Sequence, residues 1–312
     1  MDRTPLSTTV VADGLRFPEG PIAMDDGSVL LVEIARQTLS RVQPDGSVEV
    51  VADCGGGPNG GAIGPDGAVY VCNNGEAFEW IDLGGITVPG PPPESWRPGC
   101  IQRVDLDTGE VATLYTECDG RELRAPNDLV FDHDGGFYFT DHGLRMERTS
   151  DRTGVYYALA DGSSIREVVF PLDAPNGVGL SPDGTRLYVA ETHTGRVWSW
   201  AVTGPGEVAS HTGLHAGGAL LYGAPGLAMF DSLAVDGEGW VCVGTLGLEE
   251  AGVTAISPDG AVVEHTPIPD PLVTNLCFGG PDLRTAFITS SGMGQLLRVD
   301  WPRPGLELAH RR

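Results

Sequence analysis

The chain has 312 residues, with 43 acidic against 19 basic side chains, a formal net charge of -24 at pH 7 and 41% hydrophobic residues. So acidic a chain is repelled by phosphate backbones and anionic lipid, which excludes nucleic acid and membrane as expected partners. Its opening stretch, Met1-Asp2-Arg3-Thr4-Pro5, has no apolar core of signal-peptide length, and no run approaches the roughly 20 apolar residues of a membrane span, so a cytoplasmic protein is expected.

Taken in chain order, residues 7–12 read as a lone strand similar to 48–52. The first full unit has strands at 20–24, 29–33, 38–43 and 47–53, joined by the hairpin dipeptides Asp26-Gly27 and Asp45-Gly46. A second unit opens at Asn59, runs through 68–72, is interrupted by residues 74–99 and resumes at 101–104. The interruption carries Pro89-Gly90-Pro91-Pro92-Pro93 and is expected to be a loop without regular structure of its own. A third unit has strands at 127–131, 137–141, 154–159 and 165–170. The last three open at Asn176, Asp231 and Asn275, with third strands at 196–200, 252–256 and 295–299. A final strand-like run at 305–309 competes with 7–12 for the outer place in the last unit.

One phrase recurs in all six units: a polar residue, an apolar strand, an acidic turn and a second strand. The polar residues Glu19, Asn59, Asn127, Asn176, Asp231 and Asn275 each precede an acidic turn residue by seven positions, at Asp26, Asp66, Asp134, Asp183, Glu238 and Asp282. A repeat of this length built from four antiparallel strands is a propeller blade. The predicted fold is all-β, a six-bladed β-propeller with four antiparallel strands per blade, forming a single domain over 1–312.

Strand order places the six polar residues around one mouth of the central channel, here called the upper mouth, with the acidic turns on the opposite face. The ends of the second strands, Glu33, Asn73, Asp141, Glu191, Thr245 and Ser290, rise to the same upper face, and so does the 74–99 insertion with Phe78, Trp80 and Trp96 as candidate pocket walls. Asp132-His133-Asp134-Gly135 resembles the start of a calcium loop but falls on the turn face, so it is read as a turn. Asn59 and Asn275 are read as backbone caps. Glu19 and Asp231 differ, because two carboxylates converging with Asn carbonyls in a narrow channel repel each other unless a cation lies between them. Oxygen donors of this kind suit a hard divalent ion, Ca²⁺ first and Mg²⁺ or Mn²⁺ next; Zn²⁺ is the least suited, since the mouth offers no Cys or paired His. The six cysteines form no C-x-x-C pair and are expected to be reduced and mostly buried, Cys100 and Cys118 being the only two close enough to bridge.

Glu19 in Phe17-Pro18-Glu19-Gly20-Pro21, Asn127 in Ala125-Pro126-Asn127-Asp128, Asn176 in Ala174-Pro175-Asn176-Gly177 and Asp231 in Phe230-Asp231-Ser232-Leu233 together resemble the gluconolactonase family, which includes regucalcin-like and luciferin-regenerating proteins. The resemblance covers essentially the whole chain. It implies a catalytic divalent cation bound by Glu19, Asn127, Asn176 and Asp231, and a lactone as substrate, with Asn127 also in contact with it. Sugar-lactonase members typically carry an Arg two positions before the blade-three Asn; here that position is Ala125 and the neighbouring Arg124 is the substituted candidate. A further substrate-contacting Glu of the family has no match in His142-Gly143-Leu144-Arg145. These departures weigh against gluconolactone itself and leave a sugar lactone or a related small lactone as the expected substrate class.

The leading expectation is metal-dependent hydrolysis of a small lactone, with Asp231 as general base and a cation-bound hydroxide as the competing base. Arg124, Asn127, His142, Trp80 and Trp96 are the candidate substrate contacts. Asp128, His142 and His193 are read as structural or as groups that orient water or the leaving group. Alternatives are a phosphotriester hydrolase using the same metal site, with Asp231 as nucleophile, and a non-catalytic calcium- or ligand-binding propeller. The absence of a G-x-S-x-G element disfavours a Ser nucleophile.

Overall fold

A strand buried on both faces needs an unbroken apolar run, and the second strand of each repeat has one. In Val29–Glu33, Val29 and Leu31 enter one apolar cluster while Leu30 and Val32 enter the next. The same division separates Tyr70 from Val69 and Val71, Tyr138 from Phe137 and Phe139, and Tyr188 from Leu187 and Val189. Six such clusters result, one between each pair of neighbouring sheets. Burying a side chain such as Leu30 there contributes roughly 1.5–3 kcal/mol.

The computed structural model describes residues 2–3, 5–209, 215–249 and 251–312. It is an all-β ring of six antiparallel sheets. Their inner strands are Pro18–Ala23, Pro58–Ile63, Pro126–Phe131, Pro175–Leu180, Met229–Val235 and Val273–Gly279, and each lies beside the next, with the sixth returning to the first. The six-bladed propeller expected from the repeats is therefore present. No helix among the described residues is long and apolar enough to cross a membrane.

The acidic turns work through one device. The Asp26, Asp45, Asp66, Asp183, Asp259 and Asp282 carboxylates each accept a hydrogen bond from the backbone N–H two residues on, at 2.9–3.2 Å. Hydrogen bonds from Ser181 and Thr185 hold the Asp183 carboxyl down to about 2. In blades three and five the structure moves this role two residues earlier than the aligned acids Asp134 and Glu238. Asp132 accepts from Asp134 and Gly136, and Asp236 from Glu238 and Trp240. The second Asp132 oxygen takes the Tyr157 hydroxyl at 2.7 Å, so this turn is internally satisfied.

The competition between the two end segments is resolved in favour of the N-terminal one. Thr8–Ala12 pairs antiparallel with Gln295–Asp300 and completes blade six, and Asp2–Arg3 adds parallel to the outer strand of blade five. With no free place left, residues 305–309 form no strand. The tail instead crosses the lower opening. Gly237 N–H donates to Pro304 O and Gly305 N–H to Leu283 O, the His310 ring meets Phe131 at 5.4 Å, and Arg311 and Arg312 pair with Asp25 and Asp107. Arg303 anchors its start against Asp236, Glu264 and the Trp240 ring. A cavity of about 140 Å³ remains inside the channel above the tail.

The insertion departs from expectation, because it contains a hairpin, Trp80–Asp82 paired with Thr87–Pro89. Asp82 accepts from Gly85 N–H at 2.7 Å and fixes the turn, a local signal that the surrounding Gly and Pro residues obscure. All six cysteines are free, Cys100 and Cys118 included.

Candidate active site

Every inner strand carries one extra residue at the same place. Between Glu19 and Ile22, Pro58 and Gly61, Pro126 and Leu129, Pro175 and Val178, Phe230 and Leu233, and Val273 and Asn275, the register to the second strand slips by one. These are β-bulges, and bulges re-aim a side chain out of the pleat. Each one falls on a predicted mouth residue. The loop entering the strand is fixed in turn by the end of the second strand: Glu33 accepts from Arg16 N–H, Asn73 from Gly57, Asp141 from Arg124 and Ala125, and Glu191 from Asp173. These buried side chains, three acids and one amide, hold the loops that lead into the mouth residues.

Glu19, Asn127 and Asn176 are buried, whereas Asp231 keeps part of its surface open to the mouth. Asn176 and Asp231 are brought together directly, the carboxamide hydrogen-bonding the carboxylate, while Asn176 Oδ1 accepts from Ser232 Oγ at 3.1 Å and Nδ2 donates to Thr192 at 3.2 Å. Glu19 Oε2 accepts from Asn275 Nδ2 at 2.8 Å and from Gly20 N–H. Asn275, expected only to cap, thus caps Leu276 through its oxygen and holds Glu19 through its nitrogen.

Two oxygens have been left over: Glu19 Oε1 and Asn127 Oδ1 are buried without a hydrogen-bond partner among the described residues. The charges are equally unresolved. Burial raises the Glu19 carboxyl to about 7 against the opposing effect of Asn275, Gly20 and Thr274. Burial and then the Glu19 charge push Asp231 well above the carboxylate range, and the same two causes raise Asp128. Orphaned carboxyl and carboxamide oxygens beside mutually repelling carboxylates are a donor set that a hard divalent cation fits.

This electrostatic stress has a measurable consequence. The folded protein holds the Glu19 proton more tightly than the unfolded chain, so its contribution is full below about pH 4.5 and is lost as the pH rises through about 7. The loss is on the order of 3 kcal/mol. Protein held in chelator is expected to melt several degrees lower at pH 8 than at pH 5, and Glu19→Gln to flatten that slope. An equally steep slope in Glu19→Gln, followed by calorimetry, would assign the stress elsewhere.

The other candidate contacts lie around the rim. Phe17, two residues before Glu19, meets the Trp80 ring at 4.7 Å, and Phe78 meets Trp80 at 6.0 Å. Trp96 donates its indole N–H to Asn74 O and lies 4.4 Å beneath the Arg124 guanidinium, which is also paired with Asp151 at 2.9 Å. His142 and His193 have their rings 5.8 Å apart across blades three and four, and burial holds the His142 imidazole neutral, down to about 4. Asp128 faces the channel below the mouth and accepts from Leu129 and Val178 N–H, a backbone-bonding role as expected. Phe17, Ser232 and Thr274 were not singled out in the sequence; all three flank or directly abut a mouth position, which is the only signal they carry.

A six-bladed propeller with a buried, oxygen-lined and mutually repelling set of acids at one mouth defines a class of channel-centred proteins. The chain belongs to the SMP-30/Gluconolactonase/LRE-like region family, whose model matches residues 17–292. A gluconolactonase from Zymomonas mobilis is 27% identical over 307 residues, covering 90% of this chain and 78% of that protein. Among solved structures, a gluconolactonase from Xanthomonas campestris has a TM-score of 0.73 at 24% identity, covering 95% of this chain and 89% of the other. A calcium-binding protein, regucalcin, from Agrobacterium tumefaciens has a TM-score of 0.69 at 17% identity, covering 99% and 100%. These two structures share the fold.

Proposed function

We propose that this protein is a metal-dependent lactonase, a single propeller domain over 1–312 that opens a small lactone with water at its upper mouth. The observation that carries the reading is the pair of orphaned oxygens on Glu19 and Asn127, with the Glu19 charge acting on the Asp231 carboxylate at the same mouth. The gluconolactonase relative supports a lactone as the substrate class. A divalent cation held by Glu19, Asn127, Asn176 and Asp231, with Ca²⁺ the first choice, would polarise the lactone carbonyl and stabilise charge on its oxygen.

The remaining work falls to the chain. Asp231 is less deeply buried than Glu19, Asn127 and Asn176, and it would take the proton of the attacking water. Asn176 and the Ser232 amide hold that carboxylate in one orientation. As the ring C–O bond breaks, Asp231 returns the proton to the leaving oxygen, giving the hydroxy acid. Phe17, Phe78 and Trp80 limit bulk water on one side of the mouth, and the neutral His142 stands at the rim as a substrate contact. The free thiols support the cytoplasm as the compartment of this reaction.

Protein stripped of metal by a chelator is expected to lose hydrolysis of every lactone the replete protein opens, and to regain it with Ca²⁺ or Mn²⁺. Undiminished turnover by protein shown by elemental analysis to be metal-free would sink the reading. Lactone binding without turnover in the replete protein would leave a ligand-binding propeller.

A further inference from the structure

The apolar side chains that the ring leaves in solvent are unevenly placed. Ile81 (42% exposed), Leu83 (62%), Met146 (51%), Leu227 (91%), Leu248 (95%) and Met293 (43%) all sit in loops that leave the second strands or enter the inner strands, and so on the upper face. Among the described residues, the lower loops and tail expose Val262 and Leu308, and the outer strands expose Val10, Val48, Val50, Phe170 and Leu220. An exposed large aliphatic side chain is unremarkable singly, but a group of them around a concave mouth marks a surface that expects apolar company.

The insertion turns this rim into a wall. Its hairpin leaves blade two, passes over blade one and is tied to blade six by the Thr87 N–H to Gly292 O hydrogen bond at 2.8 Å. Ile86 meets the Gly292 backbone so closely that a Cβ there would be 3.0 Å away. The strap brings Trp80 onto Phe17 at 4.7 Å, beside the Glu19 bulge, and points its turn toward Met293. Over blade five, Leu248 and Ala251 with Ile268 and the prolines at 267, 269 and 271 line an open depression of about 460 Å³.

The polar groups that a polyhydroxylated ring would need are meanwhile largely engaged within the protein. Arg124 is committed to Asp151 and to the Trp96 face, Thr194 donates to Glu191, and Asn74 Oδ1 accepts from Ala77 N–H, so that Asn74 Nδ2 and Asp173 Oδ1, both buried, are the rim atoms left without a hydrogen-bond partner among the described residues. Desolvating a sugar's hydroxyls against such a rim without replacing their hydrogen bonds is costly.

We infer that the lactone opened here carries an apolar substituent, alkyl or aryl, which lies on the upper rim between the Phe17-Phe78-Trp80 wall and the loops bearing Leu248 and Met293. This rests on the lactonase reading and adds to it the substrate class. The Trp80 hairpin is then the specificity-determining element, since it supplies the wall nearest the reacting carbonyl while contributing no ligand to the cation.

The test is a series of γ-lactones with no side chain, butyl or octyl at the ring carbon bearing the ring oxygen, set beside gluconolactone and assayed with metal-replete full-length protein. The expected result is a kcat/KM that rises about two- to fourfold per methylene over the first few carbons, carried by KM, with gluconolactone the poorest. Trp80→Ala is expected to reduce the octyl-to-unsubstituted ratio by about tenfold, and Trp80→Phe to restore most of it; melting temperature and metal content report whether each variant is intact. A deletion that shortens 78–91 to a short linker gives the same readout should Trp80→Ala misfold. Turnover of gluconolactone equal to or above that of the octyl lactone, or no dependence on chain length, overturns this inference while leaving lactonase activity standing. No turnover of any lactone overturns both.

Discussion

Asp231→Asn is expected to lower kcat about a thousandfold, a loss in the middle of the range for removing a general base. The substitution is isosteric, and the Ser232 amide, 3.1 Å from Oδ1, and the Asn176 carboxamide remain as partners, so the bulge should keep its shape. The ambiguity lies in charge, because the same change withdraws a negative donor from the cation. Saturating Ca²⁺ separates the two roles. If Asp231 moves the proton, kcat stays depressed when metal content is restored and the limb of the pH profile that rises with the base's ionisation disappears. Recovery of kcat to within tenfold of the parent protein in excess metal would reduce Asp231 to a ligand and transfer the base's role elsewhere.

Gly177→Ala is expected to destabilise the protein by about 3 kcal/mol or more, although it changes one hydrogen to a methyl group. Its Cβ would lie 2.4 Å from Leu233 N, 2.7 Å from Ser232 C and 2.9 Å from Asp231 O. All three are backbone atoms of the neighbouring bulge, so no side chain can swing aside. Relief requires blades four and five to move apart at the Asn176–Asp231 contact, so metal affinity should fall together with melting temperature. Gly184→Ala is the control: φ there is +68° and nothing lies within 4 Å, so only backbone strain of about 1 kcal/mol is expected. Equal losses in the two variants, with metal affinity unchanged in Gly177→Ala, would show that the bulges do not depend on this close approach.

The ring was legible because its information is local. A hairpin of the first two strands of a blade, closed by an acidic turn, is specified within about a dozen residues, and six copies at a constant offset announce the blade count. The mouth acids were legible for a related reason: a carboxylate where sister repeats place Asn has no role in a turn. What escaped is non-local. The partner that engages Arg124 is Asp151, 27 residues away, across a loop whose course no periodicity reports. Residues 305–309 alternate as a strand should, yet whether they pair depends on which segment reaches the blade-six edge, and Thr8–Ala12 holds it. The turn acids in blades three and five were misplaced because Asp132 and Asp134 differ only in which oxygen meets the Gly136 amide.

The C-terminal strap gives the molecule a traffic rule. With residues 303–312 laid across the lower opening and tied by ion pairs to blades one, two and five, the tail covers the lower end of the central channel and leaves the upper mouth as the approach to the acids. On the lactonase reading proposed above, lactone, water, cation and hydroxy acid would all use that mouth. A departing product, newly carrying a carboxylate, has to back out past the centre that made it, and the next substrate waits until it has gone. On the same reading, a seated substrate would stand between the cation and the upper mouth and slow its escape.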